Sequence, residues 1–291
     1  MRYASGSSFR QALEAHLRDQ SRETGAPLTR LRKLVSFDRL LARLVQAQPG
    51  RWVLKGGLSL QLRLGDRART TKDIDLLLLS AQDPFPILTR AAKLDLGDWF
   101  TLEVAPCQPP GTAEQGGLRY PARALLDGRI FEEFHVDVGI GDPMVESEDI
   151  LSGPALLSFA GLEPTKVPCF PPSQQIAEKL HAYTRPHAGS SGTRVRDLVD
   201  MLLIASLCTL SAANLRSALH ATFEARRTHP LPRQFPMPPS SWVGPYRRLA
   251  REVGLERQNL AQAADAVSLF LNPVLQGTPS REWDPSLWIW H

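Results

Sequence analysis

Hydrophobic residues in the first fifty positions recur at the spacing of an α-helix. Phe9, Leu13 and Leu17 fall on one side of residues 9–23, with charged residues between them, as in an amphipathic helix. Residues 28–46 continue this period. Because both segments combine one apolar face with one polar face, the sequence predicts two helices that pack against a core.

Short apolar runs replace the helical period after residue 50 and indicate strands. Residues 52–54 form one such run and meet the Gly56-Gly57 pair, after which residues 58–64 are expected to be helical. Residues 71–79 predict a buried strand. A helix is further expected over residues 87–94 and a strand over residues 99–104.

A β-hairpin is expected where residues 119–126 and 130–140 flank Asp127-Gly128. Two residues of this kind favour the type I′ turn, in which both adopt a positive φ. Pro121 has no backbone N–H to give to a sheet ladder. The first arm is therefore predicted to be an edge strand.

The second half of the chain has a helical pattern with two proline-rich stretches. Residues 163–172 are interpreted as a linker or an ordered crossing loop, and residues 230–245 as a second loop. Ser173 is the expected N-cap of the helix that follows the linker. Helices are predicted over residues 173–183, 194–207, 212–225, 246–253 and 258–271. The expected fold class is bilobed α/β, with a mixed-sheet lobe over residues 1–160 and a helical-bundle lobe over residues 161–291.

Composition and charge narrow the class of protein. Hydrophobic residues make up 43% of the 291 residues and charged residues 22%, which is typical of a globular protein with a substantial core. No apolar run approaches the roughly 18 residues of a membrane span and no signal-peptide pattern is present, so a cytoplasmic protein with no membrane partner is expected. A net charge of +4 permits RNA as a partner without requiring it. The cysteines fit neither a disulfide framework nor a zinc site; they are Cys107, Cys169 and Cys208.

Two aspartates, Asp73 and Asp75, lead into the buried strand. Side chains alternate faces along a strand, so both carboxylates point the same way and repel each other unless a cation lies between them. Magnesium, which prefers oxygen ligands and keeps several waters, is the expected ion. The alternative is that both acids only end the strand in solvent.

Residues upstream of this strand favour a phosphate ligand. Lys55, Gly56 and Gly57 follow a strand and open a helix, where glycines allow close approach to a phosphate and the helix N-terminus favours negative charge. Ser59 can add a hydroxyl. A Gly-Gly pair by itself indicates only a turn, so its position just before the two aspartates carries the argument.

Asp137 supplies a third acid, from the second arm of the hairpin. It shares a strand face with His135, which we interpret as a surface histidine of the strand rather than a ligand. An acid beside two metal ligands can bind a second ion or deprotonate an attacking hydroxyl. The alternative is an ordinary solvent-facing strand acid.

These motifs resemble a known family. The segment LKGGLSLQLRLGDRARTTKDIDLLL (residues 54–78) is similar to the first catalytic block of the AbiEii/MenT group of nucleotidyltransferase toxins, in the polymerase-β-like superfamily. Residues 174–182 resemble the helical block that carries a lysine, and residues 196–200 resemble the following Arg-Asp-x-x-Asp block. Residues 222–232 resemble mycobacterial members. The resemblance spans about residues 50–235 and implies a nucleotidyltransferase-type sheet in the first lobe.

The resemblance implies roles for individual residues. It assigns the triphosphate to Lys55, Gly56, Gly57 and Ser59, with Arg63 and Lys72 as supporting charges, and the magnesium, of which two ions are possible, to Asp73 and Asp75. From the helical lobe, Lys179 is expected to reach the phosphates and Asp197 to complete a pocket between the lobes. Many relatives carry Thr or Ser where this chain has Leu58.

Without the resemblance, the helical residues have simpler interpretations. A single lysine on a helix, as at Lys179, is usually solvated. Arg196 and Asp200 stand four residues apart and can form an ordinary pair on a helix surface.

The function that the resemblance implies is transfer of a nucleotide from an NTP, with CTP the first choice, to the 3′ end of tRNA. Such an enzyme is the toxin of a toxin–antitoxin pair and blocks translation, so an antitoxin partner is expected. Two alternatives stay open. One is transfer to a protein or a small molecule, and the other is an inactive protein that binds nucleic acid or an antitoxin.

Basic residues near the second proline-rich loop are a candidate tRNA surface. They are Arg226, Arg227, Arg233 and Arg247, with His229, Arg248 and Arg251 nearby. Prolines stiffen such a loop, so its charges can meet a phosphate backbone in a fixed arrangement. The alternative is a solvated basic surface.

Overall fold

The computed structural model describes residues 2–107, 117–186, 194–277 and 281–291. The chain forms two compact units that interleave along the sequence. The first consists of Met1–Leu62, Thr70–Gly141 and Asp149–Cys169. The second consists of Arg63–Arg69, Asp142–Glu148 and Phe170–His291. The domain boundary expected at residue 160 stays a prediction.

The chain begins with the two amphipathic helices that the apolar period predicts. Helix α1 covers Gly6–Thr24 and helix α2 covers Leu28–Ala47. The Ser5 side chain caps α1 by accepting a hydrogen bond from the backbone N–H of Ser8, and Gly25 ends it with φ 73°. The apolar residues that set the period are buried in the first unit's core, so burial of this face holds both helices in place.

A seven-stranded mixed sheet forms the centre of the first unit, in the order β3-β4-β5-β2-β1-β7-β6. Helix α3 (Gly56–Leu64) follows β1, and helix α4 (Pro84–Ala92) lies between β2 and β3. One face of the sheet shares its buried core with α1, α2 and α4. The strands are β1 (Trp52–Lys55), β2 (Ile74–Leu78), β3 (Phe100–Val104), β4 (Leu118–Leu126), β5 (Arg129–Ile140), β6 (Asp149–Ser152) and β7 (Lys166–Cys169).

The hairpin β4–β5 has the predicted turn. Asp127 and Gly128 have φ values of 54° and 68°, both positive as a type I′ turn requires. The prediction that Pro121 makes β4 an edge strand is wrong, because β4 lies between β3 and β5. Proline is tolerated there because the strand pairs with β3 end at Val104–Ala122. The next contact is a single hydrogen bond, from the Ala105 N–H to the Pro121 oxygen at 2.9 Å, in which proline only accepts.

The proline-rich stretch at residues 163–172 is not only a linker, because it contains strand β7. This strand pairs in parallel with β1 at Leu54 and Cys169, and antiparallel with β6. Its side chains alternate between exposed or half-buried and buried, so the period of two was present in a segment too short and too rich in proline to indicate a strand.

The second unit is mainly helical. Its helices are α5 (Pro172–Thr184), α6 (Arg194–Leu207), α7 (Ala212–Arg226), α8 (Val243–Glu252) and α9 (Leu260–Gln276), and its small sheet contains β8 (Leu210–Ser211), β9 (Glu282–Asp284) and β10 (Ile289–Trp290). Ser173 is not the N-cap of α5. The N-cap is Pro171, because Pro172 has the φ of a first helical residue and needs no N–H there. None of the helices in the described ranges has the length and apolarity of a membrane span.

The fold of the first unit includes a fully buried ion pair between α2 and the start of β3. Arg43 donates from two nitrogens to Asp98, at 2.9 and 2.7 Å, and both side chains are wholly buried. Arg43 also donates to the backbone oxygens of Leu94 and Phe100. Removing the carboxylate would leave a buried guanidinium without its counter-charge.

We therefore expect Asp98→Ala to lower the free energy of unfolding by about 3–5 kcal/mol, measured by urea denaturation. Asp19→Ala is the matched control, because Asp19 pairs with Arg22 at 3.1 Å with both side chains largely exposed. Its loss should not exceed about 1 kcal/mol. Equal effects of the two substitutions would contradict a special contribution of the buried pair.

Candidate active site

A row of four charged residues crosses four adjacent strands of the first unit. Lys55 of β1 is paired with Asp75 of β2, Asp75 with Asp137 of β5, and Asp137 with Arg119 of β4. Residues directly opposite in a sheet place their side chains on the same face. The row therefore has two acids in its middle and one cation at each end.

Strand β2 is shorter than the predicted residues 71–79, so Asp73 lies just before its first residue, Ile74, and its side chain contacts residues on the same face as Asp75. Asp73 Oδ2 accepts a hydrogen bond from Arg119 Nη2 at 2.7 Å, and its Oδ1 lies 3.3 Å from His135 Nδ1. The residue between the two aspartates, Ile74, points to the opposite face and is fully buried in the core. Burial of the apolar face thus fixes both acids on the other face, as strand alternation predicts.

Arg119 was not predicted from the sequence. Its Nη2 contacts Asp73, and its Nε lies 3.3 Å from Asp137 Oδ1. A two-residue turn at Asp127-Gly128 would by itself place Arg119 opposite Val136. The register shifts by one residue at Ala124/Leu125, so a β-bulge brings Arg119 to the face of the acids. No residue pattern in the sequence signals this bulge.

The structure gives a steric reason for glycine at position 56. Gly56 has φ +63°, and a Cβ at this position would lie 2.0 Å from Asp75 Oδ2. A side chain would therefore be strained by the backbone and would also displace the carboxylate. Gly56 makes room for the predicted metal ligand, whatever its role toward a phosphate.

Helix α3 carries a leucine directly after the glycines, where many relatives have a hydroxyl side chain. Leu58, the residue that departs from the family pattern, is 1% exposed and belongs to the hydrophobic core. Ser59 is fully buried, and Gly57 is also buried. The position after the glycines thus faces the core in this chain, which suits leucine better than threonine.

Asp137 has an unusual electrostatic setting. Burial and the carboxylate of Asp75 raise the pKa of Asp137 to about 7, with a further contribution from Asp73, although Arg119 and Lys55 act in the opposite direction. Like charges on adjacent strands in a partly buried place disfavour full ionisation. Asp137 therefore holds its proton to a higher pH than an ordinary aspartate.

The acids fit a hard divalent ion that brings its own water and phosphate ligands. Asp137 Oδ1 is buried and makes no hydrogen bond among the described residues, and its neighbour is the charged Arg119 Nε at 3.3 Å. No group of three or more His, Cys, Asp or Glu side chains in the described ranges is placed so that it could hold a metal ion. Magnesium usually binds through one or two carboxylates together with water and phosphate, which suits Asp73 and Asp75.

The predicted residues of the second unit form a buried ionic cluster. Lys179 Nζ lies 3.1 Å from Asp197 and 2.8 Å from Asp200. Asp200 also accepts two hydrogen bonds from Arg69, each at 2.9 Å, and Asp197 pairs with Arg194 at 3.2 Å. Lys179 is therefore not a solvated helix lysine.

The charges in this cluster stabilise one another. Burial lowers the pKa of Lys179, but Asp200 and Asp197 outweigh it and hold the pKa above its usual value. Burial likewise raises the pKa of Asp200, and Arg69 and Lys179 reverse that effect. The surface pair considered for Arg196 and Asp200 is replaced by these contacts, since Arg196 is exposed.

Other predicted binding residues lie in different settings. Arg63 donates to the backbone oxygen of Phe170 at 3.0 Å, and Lys72 is exposed.

Arg226 is not presented as a surface charge, because its guanidinium lies 2.7 Å from Glu178 and 3.4 Å from Asp142 with 12% of the side chain exposed. The exposed members of the basic group are Arg227, Arg233 and Arg247, with Arg248 and Arg251. Among the described residues, Cys107, Cys169 and Cys208 form no disulfide bond.

A mixed sheet whose central strands present neighbouring carboxylates on one face agrees with the class of nucleotidyltransferases, which the family comparison shows. The family model described as nucleotidyl transferase AbiEii toxin, type IV toxin–antitoxin system, matches residues 39–287. The chain belongs to this AbiEii family of nucleotidyltransferase toxins.

A solved structure with a TM-score above 0.5 supports the fold. MenT4, a nucleotidyltransferase toxin from Mycobacterium tuberculosis, is 18% identical, with 92% of this chain and 97% of that chain covered and a TM-score of 0.54. JHP933 from Helicobacter pylori is 16% identical, with 83% of this chain and 97% of that chain covered and a TM-score of 0.40. A comparison with curated protein sequences gave no match. The predicted fold class and enzyme class are confirmed.

The close approach at Gly56 generates a test. Gly56→Ala should lower nucleotide transfer by at least about tenfold, because the added Cβ must push the Asp75 carboxylate away. Gly65→Ala is the matched control, since Gly65 has φ +61° and nothing within 4 Å of its Cβ position. Both variants carry the backbone strain of about 1–2 kcal/mol, measurable by urea denaturation. Equal transfer rates in the two variants would remove the steric argument.

Proposed function

We propose that this protein is a magnesium-dependent toxin that transfers NMP from an NTP to the 3′ end of tRNA and so blocks translation. CTP is the first choice of nucleotide. The observation that carries the proposal is the row in which Asp75 and Asp137 stand on adjacent strands with Asp73 on the same face. Membership in a family of nucleotidyltransferase toxins supports the reaction class. The nucleotide and tRNA substrates imply a reaction in the cytoplasm.

In this proposal Asp73 and Asp75 hold the ion, whose charge neutralises the triphosphate when it is bound. The acceptor hydroxyl attacks the α-phosphorus, a new P–O bond forms, and the bond to the bridging oxygen breaks so that pyrophosphate leaves. Asp137 is placed beside the metal ligands and accepts the proton of the attacking hydroxyl. The three acids thereby divide two tasks, ion binding and proton transfer.

We assign the triphosphate first to residues around the first acids. Lys55 stands at one end of the charged row, and Gly56, Gly57 and Ser59 open α3 beside it. A helix N-terminus with small residues favours a phosphate group. By the family resemblance we add Arg63 and Lys72 as supporting charges, and Lys179 and Asp197 as phosphate-side residues.

Transfer to a protein or a small molecule is the alternative reaction, and a catalytically inactive protein that binds nucleic acid or an antitoxin is the alternative class. The family also supports an antitoxin partner. The charged row favours catalysis over a purely binding role, because two carboxylates on adjacent strands in a partly buried place repel each other and cost stability without serving a binding surface.

The metal assignment is tested with Asp75→Ala. We expect this variant to lose nucleotide transfer while its circular dichroism stays unchanged, because a ligand is removed from an open face of the sheet. Glu103→Gln is the matched control, since Glu103 is an exposed strand carboxylate on β3 and should leave the rate unchanged. NTP labelled at the α-phosphate is incubated with total RNA and with a cell extract, each with magnesium.

The labelled product separates the alternatives. Label in a tRNA band supports the proposal, and label in protein or small molecules selects the other acceptor class. If the folded wild-type protein neither incorporates label nor binds nucleotide, the alternative of a catalytically inactive protein is supported. Near wild-type turnover in Asp75→Ala would remove the metal assignment.

The basic surface near the second proline-rich loop is tested through salt dependence. Because Arg227 and Arg233 are exposed while Arg226 is paired, we expect the double variant Arg227→Ala, Arg233→Ala to bind tRNA about tenfold more weakly. The slope of log K against log salt should fall by about 1 for each phosphate contact removed. Arg18→Ala, at an exposed site of α1, is the control. Filter binding with an unchanged slope would place the RNA surface elsewhere.

A further inference from the structure

Arg119 has contacts that a charge on the rim of the site would not have. Its guanidinium donates to Asp73 at 2.7 Å and lies 3.3 Å from Asp137, with 23% of the side chain exposed. It thus joins the first of the predicted metal ligands to the third acid. Cross-strand pairing with Asp137 and the β-bulge on β4 and β5 fix its position.

A guanidinium in this position bears on the number of metal ions. In two-metal sites the ions lie about 3.5–4 Å apart and share acidic ligands, so a second ion would lie between Asp137 and the ligands of the first ion. Arg119 already contacts Asp73 and Asp137, the acids on either side of that place. Arginine stays charged at any physiological pH, so it cannot lose its proton to make way for a cation.

We propose that Arg119 is a positioning residue that orients Asp73 and Asp137 and supplies the positive charge of a second ion, so that the site takes one divalent ion. This inference rests on the proposed function and decides between the two roles open to Asp137. With Arg119 in place, Asp137 is left to accept a proton. Asp73 keeps lone pairs for the ion, because each carboxylate oxygen accepts more than one contact.

The same hairpin supplies a matched control. Arg123 also lies on β4, four residues after Arg119, and pairs across the strands with Glu133 at 2.9 Å. Both of its pair members are more than half exposed, and it contacts none of the three acids. Removing Arg123 therefore removes a cross-strand arginine–carboxylate pair without touching the charged row.

The test counts ions rather than activity alone. Manganese replaces magnesium, and its electron paramagnetic resonance signal reports the ions bound per chain with an NTP analogue that cannot be cleaved between its α- and β-phosphates. Wild type and Arg123→Gln should bind one ion per chain. Arg119→Gln should bind two over the same manganese range, and Arg119→Lys, which keeps a cation, should stay at one.

Turnover provides the second measurement. Arg119→Gln should lower kcat at least about tenfold with a change in the nucleotide KM of less than about threefold, because orientation is lost while nucleotide contacts remain. Arg119→Lys should recover part of that loss. Two ions in wild type, or one ion in Arg119→Gln, would overturn the inference while leaving the transferase assignment intact. Failure of wild type to bind manganese or to transfer a nucleotide would overturn both.

Discussion

The carboxylates of Asp75 and Asp137 stand on adjacent strands, about 4.8 Å apart at the backbone, in a partly buried place. Two full negative charges at about 5 Å repel by about 3 kcal/mol at an effective dielectric constant of about 20. The surrounding residues reduce this repulsion in two ways. Lys55 and Arg119 flank the pair, and the raised pKa of Asp137 lowers its negative charge near neutral pH. A bound cation would relieve the same repulsion, which links the stability of the row to its chemistry.

The core on the other face of the sheet keeps these charges in place. Ile74 and Val136 point into the apolar core, so neither strand can rotate its acids away without exposing that core. Gly56 then allows the Asp75 carboxylate to approach the turn before α3. Packing on one face and a missing side chain on the other thus confine the acid to one orientation, as a metal ligand needs.

Several charged side chains of the second unit are buried as ion pairs, unlike the two neighbouring acids of the first unit. Lys179 lies between two aspartates, and Arg226 contacts Glu178 and Asp142. Such pairs gain little net stability but cost a great deal when one partner is lost. A substitution in this cluster therefore affects folding as well as any phosphate contact. Unfolding measurements are needed beside kinetics for every variant of these residues.

The sequence alone determined the features that depend on neighbours along the chain. The helical period of α1 and α2, the type I′ turn at Asp127-Gly128 and the shared face of Asp73 and Asp75 all follow from local conformation and a regular period. The family resemblance added the enzyme class, because its motifs keep their order over most of the chain.

Tertiary structure decided what depends on pairing between distant segments. The β-bulge that brings Arg119 beside the acids, the strand within the proline-rich stretch and the partners of Lys179 and Arg226 were not predicted. Each follows from contacts between residues far apart in sequence, and a shift of one residue in strand register reverses the face of every side chain beyond it. Local sequence patterns do not indicate such a shift. Only the folded chain could therefore show that the Arg119 guanidinium lies among the three acids.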